Sequence, residues 1–326
     1  MVYEDGSGGP PGEAKPVDRR AAAFLADALA GLTRTPKSLP GKYIWDEAGS
    51  TVFDRICESR DYYPTRRETA LLRATAPELA AMVGPGAVLV EYGSGASVKS
   101  RIVLDALAAP ARYVPIDIAD EHLAASAAAI ARDYPGLQVV PVHADYSRPI
   151  ALPPAARDGG PVLGFFPGST IGNFAPDAAA AFLERVRATL GPSLFLVGAD
   201  SNSDEATLLR AYSDSEGLMA ALHGNLLVRL ARELGADLDP ADFRHEARSL
   251  AGDPPRVEAH LVACRPTAWR LGDRTITFER GESIHTDNAY KYSPAAFRAV
   301  ATRAGWEPVR YWPDEDGRLG LHLLRA

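Results

Sequence analysis

The chain has 326 residues, of which 46% are hydrophobic and 24% charged, with a formal net charge of −7. This is the composition of a globular protein with one large or two medium domains, and its acidic balance disfavours a nucleic-acid groove or an anionic membrane surface. No apolar run approaches the ~20 residues of a bilayer span, no basic-then-apolar leader is visible, and Cys57 and Cys264 are too few for a disulfide framework, so a cytoplasmic location is expected.

Residues 1–16 (MVYEDGSGGPPGEAKP) are rich in Gly and Pro without periodicity, which predicts a disordered tail. Residues 17–32 predict a helix, with Ala22, Phe24, Leu25, Ala28 and Leu29 near helical spacing. A Pro-Lys-Ser-Leu-Pro-Gly loop follows. Next come a short helix capped by Ser50, carrying Val52, Phe53 and Ile56, and a turn at Asp61–Arg66. Tyr62 and Tyr63 in that turn read, taken alone, as packing residues. Helices are then expected at 67–83, 98–109, 120–133 and 176–190. Strands are expected at 87–92, 113–118, 138–143, 162–167 and 193–199. This alternation predicts a largely parallel sheet with helices on both faces and ligands at the carboxyl ends of its strands. Residues 201–239 read as mainly helical, and 242–247 and 255–285 as β-rich, with a turn at Gly272-Asp273. A helix at 294–304 and strands at 306–312 and 319–325 close the chain. The expected organisation is a split domain of 66–200 plus 293–326, and a second, α+β domain of 17–65 plus 201–292.

The first parallel strand runs into Gly93-Ser94-Gly95 and then a helix start. Glycines there let a ligand approach the backbone, and the helix offers unpaired N–H groups. Alone this is ambiguous, because the third glycine of the dinucleotide fingerprint is missing and no Gly-Lys-Ser/Thr follows. An ordinary βα turn has the same pattern. Two acids on successive strand ends add weight. Asp117 ends Tyr113-Val114-Pro115-Ile116, where a carboxylate can accept both hydroxyls of a ribose, and Asp145 ends Val139 to Ala144, where it suits an adenine amino group. The three together read as a nucleoside site of the S-adenosylmethionine (SAM) type.

Four further motifs are TPKSLPGKYIWDEAGS, DYYPTRRE, GSTIGNF at 168–174 and GESIHTDNAYKY at 281–292. With VEYGSG, they resemble the histidine-specific Nα-methyltransferases of ergothioneine biosynthesis over about residues 30–326. The resemblance implies a Rossmann-like class I methyltransferase sheet with a second, substrate-binding domain. It implies SAM-dependent methylation (the EC 2.1.1 class) of the α-amine of a free amino acid, up to a trimethylammonium. It puts the cofactor at Gly93, Lys99, Asp117, Asp145 and Tyr146, with Lys99 suited to the cofactor carboxylate. It puts the amino acid at Tyr62, Gly168, Asn173 and Tyr212, with Tyr62 and Asn173 closest to the chemistry. Because a sulfonium is an already activated methyl donor, Tyr62 and Asn173 are expected to position the amine rather than deprotonate it. Read without the family, Lys99 is a solvated lysine in a first helical turn, Asn173 a turn residue and Tyr212 a half-buried helix residue.

The side-chain pocket departs from the family pattern. Asp287 stands where a glutamate is common, Ala289 where a serine is, and Trp45 where a tyrosine is usual. Ala259 replaces a larger apolar residue known in one member. The loop DSNSDE at 200–205 departs as well. Two substrate readings therefore stand at this point. Trp45 and Asp287 compensate each other and hold histidine, or the pocket takes another aromatic amino acid, tryptophan or tyrosine, with Asp287 accepting an indole N–H or phenol O–H. A non-catalytic SAM-binding protein is a third reading. A dehydrogenase lacks its glycine motif here, and a nucleic-acid methyltransferase its Asn/Asp-Pro-Pro-Tyr/Phe motif. No metal is expected, the partner is a small molecule, and the acting unit is expected to be a monomer.

Overall fold

The computed structural model describes residues 19–95, 98–156 and 159–326. The tail expected at 1–16 lies outside them, as do the first two positions of the helix expected at 17–32. The chain opens with helix α1 (Arg19–Leu32), a two-residue strand β1 (Lys37–Ser38), α2 (Glu47–Glu58) and α3 (Tyr63–Val83). It continues through β2 (Val88–Tyr92), α4 (Val98–Ala106), β3 (Arg112–Asp117), α5 (Asp120–Asp133), β4 (Gln138–Val139) and β5 (Val142–His143). Strand β6 (Val162–Phe166), α6 (Pro176–Leu190) and β7 (Leu194–Asp200) complete the alternating part. Helices α7 (Glu205–Tyr212) and α8 (Leu218–Leu234) lead to β8 (Phe243–Leu250), β9 (Arg256–Ala263), β10 (Thr267–Leu271), β11 (Arg274–Phe278) and β12 (Ser283–Tyr290). Helix α9 (Pro294–Arg303), β13 (Glu307–Pro313) and β14 (Leu319–Arg325) end it.

The larger sheet has the order β13-β14-β7-β6-β2-β3, with β4 and β5 both paired to β3. It is parallel from β7 to β5 and antiparallel at β14 and β13. Such parallel strands are covered on both faces, which is why Val88–Tyr92 is buried at every position. From β2 the chain first builds outward through β3, β4 and β5, then returns to place β6 on the other side of β2. The strand order thus reverses between β2 and β6, and a crevice opens at their carboxyl ends. The smaller sheet, β1-β12-β9-β8, is antiparallel except at β1, and β10 pairs with β11 as a hairpin.

Several local expectations change. Asp46, not Ser50, caps α2, accepting from the Gly49 N–H at 2.9 Å, and Ser50 is buried inside the helix. An aspartate one residue before the helix reaches its free N–H groups, which a serine in the first turns cannot. The turn expected at Asp61–Arg66 is the start of α3, with Pro64 in the first turn, where its missing N–H costs nothing. The helix expected to reach residue 109 stops at Ala106. The strand expected at 138–143 is broken into β4 and β5 around Val140-Pro141, since proline cannot donate to the ladder.

Beneath the glycine turn, Glu91 on β2 is buried and accepts from Ser100 Oγ at 2.6 Å and Tyr113 Oη at 2.5 Å. Burial pushes its carboxyl up to about 7. A raised folded-state value means the proton is held more tightly in the folded chain, so its stabilising effect is full at acid pH and fades as pH rises through about 7. The difference in unfolding free energy between the native chain and Glu91→Gln should therefore shift by roughly 1–3 kcal/mol in favour of the variant between acid and alkaline pH, read by urea unfolding. Parallel pH profiles of the two proteins would count against a buried titrating Glu91.

Candidate active site

A cavity of about 390 Å³ runs from the carboxyl ends of the parallel strands to the face of the smaller sheet. At the strand ends it is lined by Gly93, Asp117, Asp145 and Tyr146. Gly93 has φ +76°, a conformation that favours glycine, and among the described residues only the Tyr146 ring, 3.7 Å away, would face a side chain there. The space above the turn is thus kept open for a ligand. Asp117 caps the next turn, accepting from the Ala119 N–H at 3.0 Å, and its other oxygen lies 3.4 Å from the Gly95 N–H. Asp145 accepts from the N–H and hydroxyl of Ser147 at 2.9 and 2.5 Å. His122, early in α5, lines the same end, and its Nε2 is buried with no hydrogen-bond partner among the described residues. Open backbone, two carboxylates and an orphaned ring nitrogen fit a nucleoside with hydroxyls and an exocyclic amine.

The middle of the cavity is lined by Tyr62, Gly168, Asn173 and Tyr212. Tyr62 and Tyr212 meet edge to face at 6.1 Å, and Tyr62 continues through Phe53 to Trp45 in an aromatic chain. Burial raises both phenols well above their ordinary value, so they remain protonated near neutrality. Asn173 ends the one-turn helix Thr170–Asn173, and its side-chain amide makes no hydrogen bond to the described residues. Gly172 in that turn packs so closely on β12 that a Cβ would press on the Tyr290 carbonyl at 2.6 Å.

The far end is lined by Trp45, Val257, Ala259, Asp287 and Ala289. A β-bulge puts them there. The β12–β9 register shifts between His285 and Asp287, so that Asp287 faces Ala259 and Ala289 faces Val257. Thr286 is the extra residue, and the bulge brings Asp287 and Ala289 to the face that Ile284 occupies before it. Asp287 is held by the Asn288 N–H at 2.9 Å, no cation among the described residues pairs with it, and burial pushes it up to about 7.

Lys99 is not among the residues that line the cavity, but its amine sits beside Gly168, which does line it, and is ion-paired with Glu68 of α3, whose side chain is 1% exposed. Both Glu68 oxygens also accept from the Gly168 N–H, at 2.9 and 2.7 Å. Sequence reasoning missed Glu68, which beside Arg66 and Arg67 looks like a solvated helix position. It also missed the buried pair Asp200–Lys291 and the cavity residues His122, His223, Met219 and Leu222. Asp200 carried the same signal as Asp117, an acid at the end of a parallel strand.

Fold and site define a SAM-dependent methyltransferase of the Rossmann-like class I type. Residues 24–326 match the family model described as "Histidine-specific methyltransferase, SAM-dependent", and the chain belongs to that family. It is similar to the histidine N-alpha-methyltransferases of Mycobacterium tuberculosis (39% identity, 92% of this chain and 94% of that one) and Mycolicibacterium smegmatis (38%, 94% and 96%). A more distant relative is the 4-dimethylallyltryptophan N-methyltransferase of Arthroderma benhamiae, at 28% identity over 91% of this chain and 92% of that one. No helix among the described residues is long and apolar enough to cross a membrane.

Replacing Glu68 by alanine strands Lys99 and leaves the Gly168 N–H unsatisfied. The expected loss of stability is about 3–5 kcal/mol in urea unfolding. Glu68→Gln keeps an acceptor for Gly168 and should lose less. A loss below about 1 kcal/mol for the alanine variant would show that the loop is held by other contacts.

Proposed function

We propose that this enzyme transfers methyl groups from SAM to the α-amine of free L-histidine, through to the trimethylated betaine. The observation that carries the reading is the single continuous cavity, with a nucleoside-fitting end, an aromatic and amide middle, and a far end bearing one lone carboxylate. The substrate is taken from the two mycobacterial relatives, which match this chain over almost its full length.

In this reading Gly93, Asp117, Asp145 and Tyr146 hold the nucleoside part of SAM, while Glu68 keeps Lys99 within reach of its carboxylate. When bound, SAM supplies a methyl group on a sulfonium, already activated toward an amine. The protein's task is then orientation, because reacting atoms held ~3–3.5 Å apart and in line need little further help. Tyr62 and Asn173 hold the amine, Tyr212 and Gly168 the carboxylate end, and Asp287 receives a ring N–H of the imidazole. Tyr62 stays a phenol, which supports a positioning role over that of a base. The low-dielectric cavity favours the uncharged amine, the form that reacts. Ala259, Ala289 and Trp45 shape the wall around the ring.

The reading also assigns cofactor binding to 66–200 plus 293–326 and substrate binding to 17–65 plus 201–292. Its support is that one apolar core joins α1, α2, α7, α8 and β8–β12, whereas two others flank the larger sheet. A monomer suffices, since one chain lines the whole cavity, and the two free cysteines suit the cytoplasm.

Incubation with SAM and each of the twenty amino acids, read by mass, tests the substrate. Histidine should be methylated fastest. Faster methylation of tryptophan or tyrosine would retire histidine while keeping the reaction class. Tyr62→Phe should raise KM for histidine and lower kcat by about tenfold or less, with the pH profile unchanged. Unaltered KM with a collapsed kcat would point to proton transfer instead.

A further inference from the structure

We propose that Lys291 is a positioning residue for the transfer: its ammonium fixes the direction of the Tyr212 hydroxyl proton, so that Tyr212 acts as a donor to the substrate carboxylate. The inference rests on the reading above, in which Tyr212 meets that carboxylate.

Lys291 follows β12 directly and is 1% exposed at its side chain; its partner Asp200, the last residue of β7, is 0% exposed. Its Nζ lies 2.8 Å from Asp200 Oδ2 and 2.8 Å from Tyr212 Oη. It also sits 4.6 Å from the centre of the Tyr212 ring. An ammonium has three donors and no acceptor. Tyr212 Oη therefore accepts from Nζ, and its single proton points elsewhere. Among the described residues it meets no other polar partner, and Tyr212 lines the cavity. The proton is left for a ligand there.

The rest of the cluster prevents the opposite arrangement. Asp200 is the group that would draw a phenol proton, but it is already engaged. Tyr63 Oη donates to Oδ2 at 2.5 Å and the Asn202 N–H to Oδ1 at 2.9 Å, alongside Lys291. Tyr63 takes the carboxylate and Tyr212 takes the ammonium. Two tyrosines from α3 and α7 are thereby sorted into opposite roles by one buried ion pair. The arrangement also places a buried positive charge one hydrogen bond behind the point where a carboxylate would bind.

A double-mutant cycle tests this. Lys291→Gln alone leaves Asp200 buried and unpaired, so the neutral pair Asp200→Asn/Lys291→Gln is the second background. With saturating SAM, Tyr212→Phe should raise KM for histidine about tenfold or more in the native background and less than about threefold in the neutral one. The SAM dissociation constant should stay within about twofold throughout. Histamine, which lacks the carboxylate, serves as alternative substrate or competitive inhibitor. Its kcat/KM or inhibition constant should be unmoved by the Lys291 change, whereas a purely structural role would weaken histidine and histamine alike. Equal Tyr212→Phe effects in both backgrounds overturn the role of Lys291 and leave Tyr212 in place. No effect in the native background overturns both. If the neutral pair does not fold, Lys291→Arg keeps the charge but moves the donor. It should raise KM for histidine more than about threefold while sparing histamine, and parallel losses overturn the proposal.

Discussion

The carboxylate of Glu68 ties together most of what surrounds the cavity. It projects from α3, receives the Gly168 N–H that follows β6, and pairs with Lys99 at the start of α4. It also fills the space beside β7 that Gly198 leaves free, since a Cβ there would overlap it. Four elements of the larger sheet layer thus converge on one charge. A buried carboxylate is tolerated only when its lone pairs are met, and here a cation and an N–H meet them. Gly168 adopts φ +81° at the same point, so the loop that borders the cavity is held at its turn and not only at its ends.

A second buried charge, the Asp200–Lys291 pair, does the corresponding work from the other sheet. Glu68 organises the ends of β6 and β7 from the helix layer. Lys291 reaches Asp200 from the end of β12 and joins the two sheets directly. Between these two clusters lie Tyr62, Gly168 and Tyr212. Neither pair needs to contribute net stability over an apolar substitute to be worth keeping, because each specifies an orientation: a loop N–H in one case, a hydroxyl in the other.

The parallel half of the molecule was legible because its signals are local. Continuous apolar runs mark buried strands, an acid after such a run marks a strand end, and the expected closing helix and two strands fall at α9, β13 and β14. Asp117 and Asp145 are legible for that reason. The features that were not legible depend on other parts of the chain. Nothing local distinguishes Glu68 from the arginines beside it. The phase of β12 depends on a bulge opposite β9, so the facing of Asp287 and Ala289 cannot be counted from strand alternation alone. Pro141 is the exception, a local break that the strand pattern around it obscured.

The bulge in β12 sets which side chains form the far wall of the cavity. If Thr286 paired in register instead of bulging, it would stand opposite Ala259, Asp287 would move opposite Glu258 on the other face, and the far wall would be built from different side chains. Thr286 is itself anchored. Its hydroxyl lies 3.0 Å from the Ala259 carbonyl and 3.0 Å from His223 Nδ1. The hydroxyl has one proton, and a carbonyl can only accept, so Thr286 donates to Ala259 and His223 Nδ1–H donates to Thr286. The imidazole is thereby fixed in one tautomer, with Nε2 as its acceptor, and burial keeps it uncharged, its value lowered to about 3. The wall opposite the nucleoside end therefore holds a lone carboxylate and a neutral imidazole with small apolar side chains between strands. That is a surface suited to a ring bearing N–H groups, and its shape is set by one inserted residue as much as by the side chains it displays.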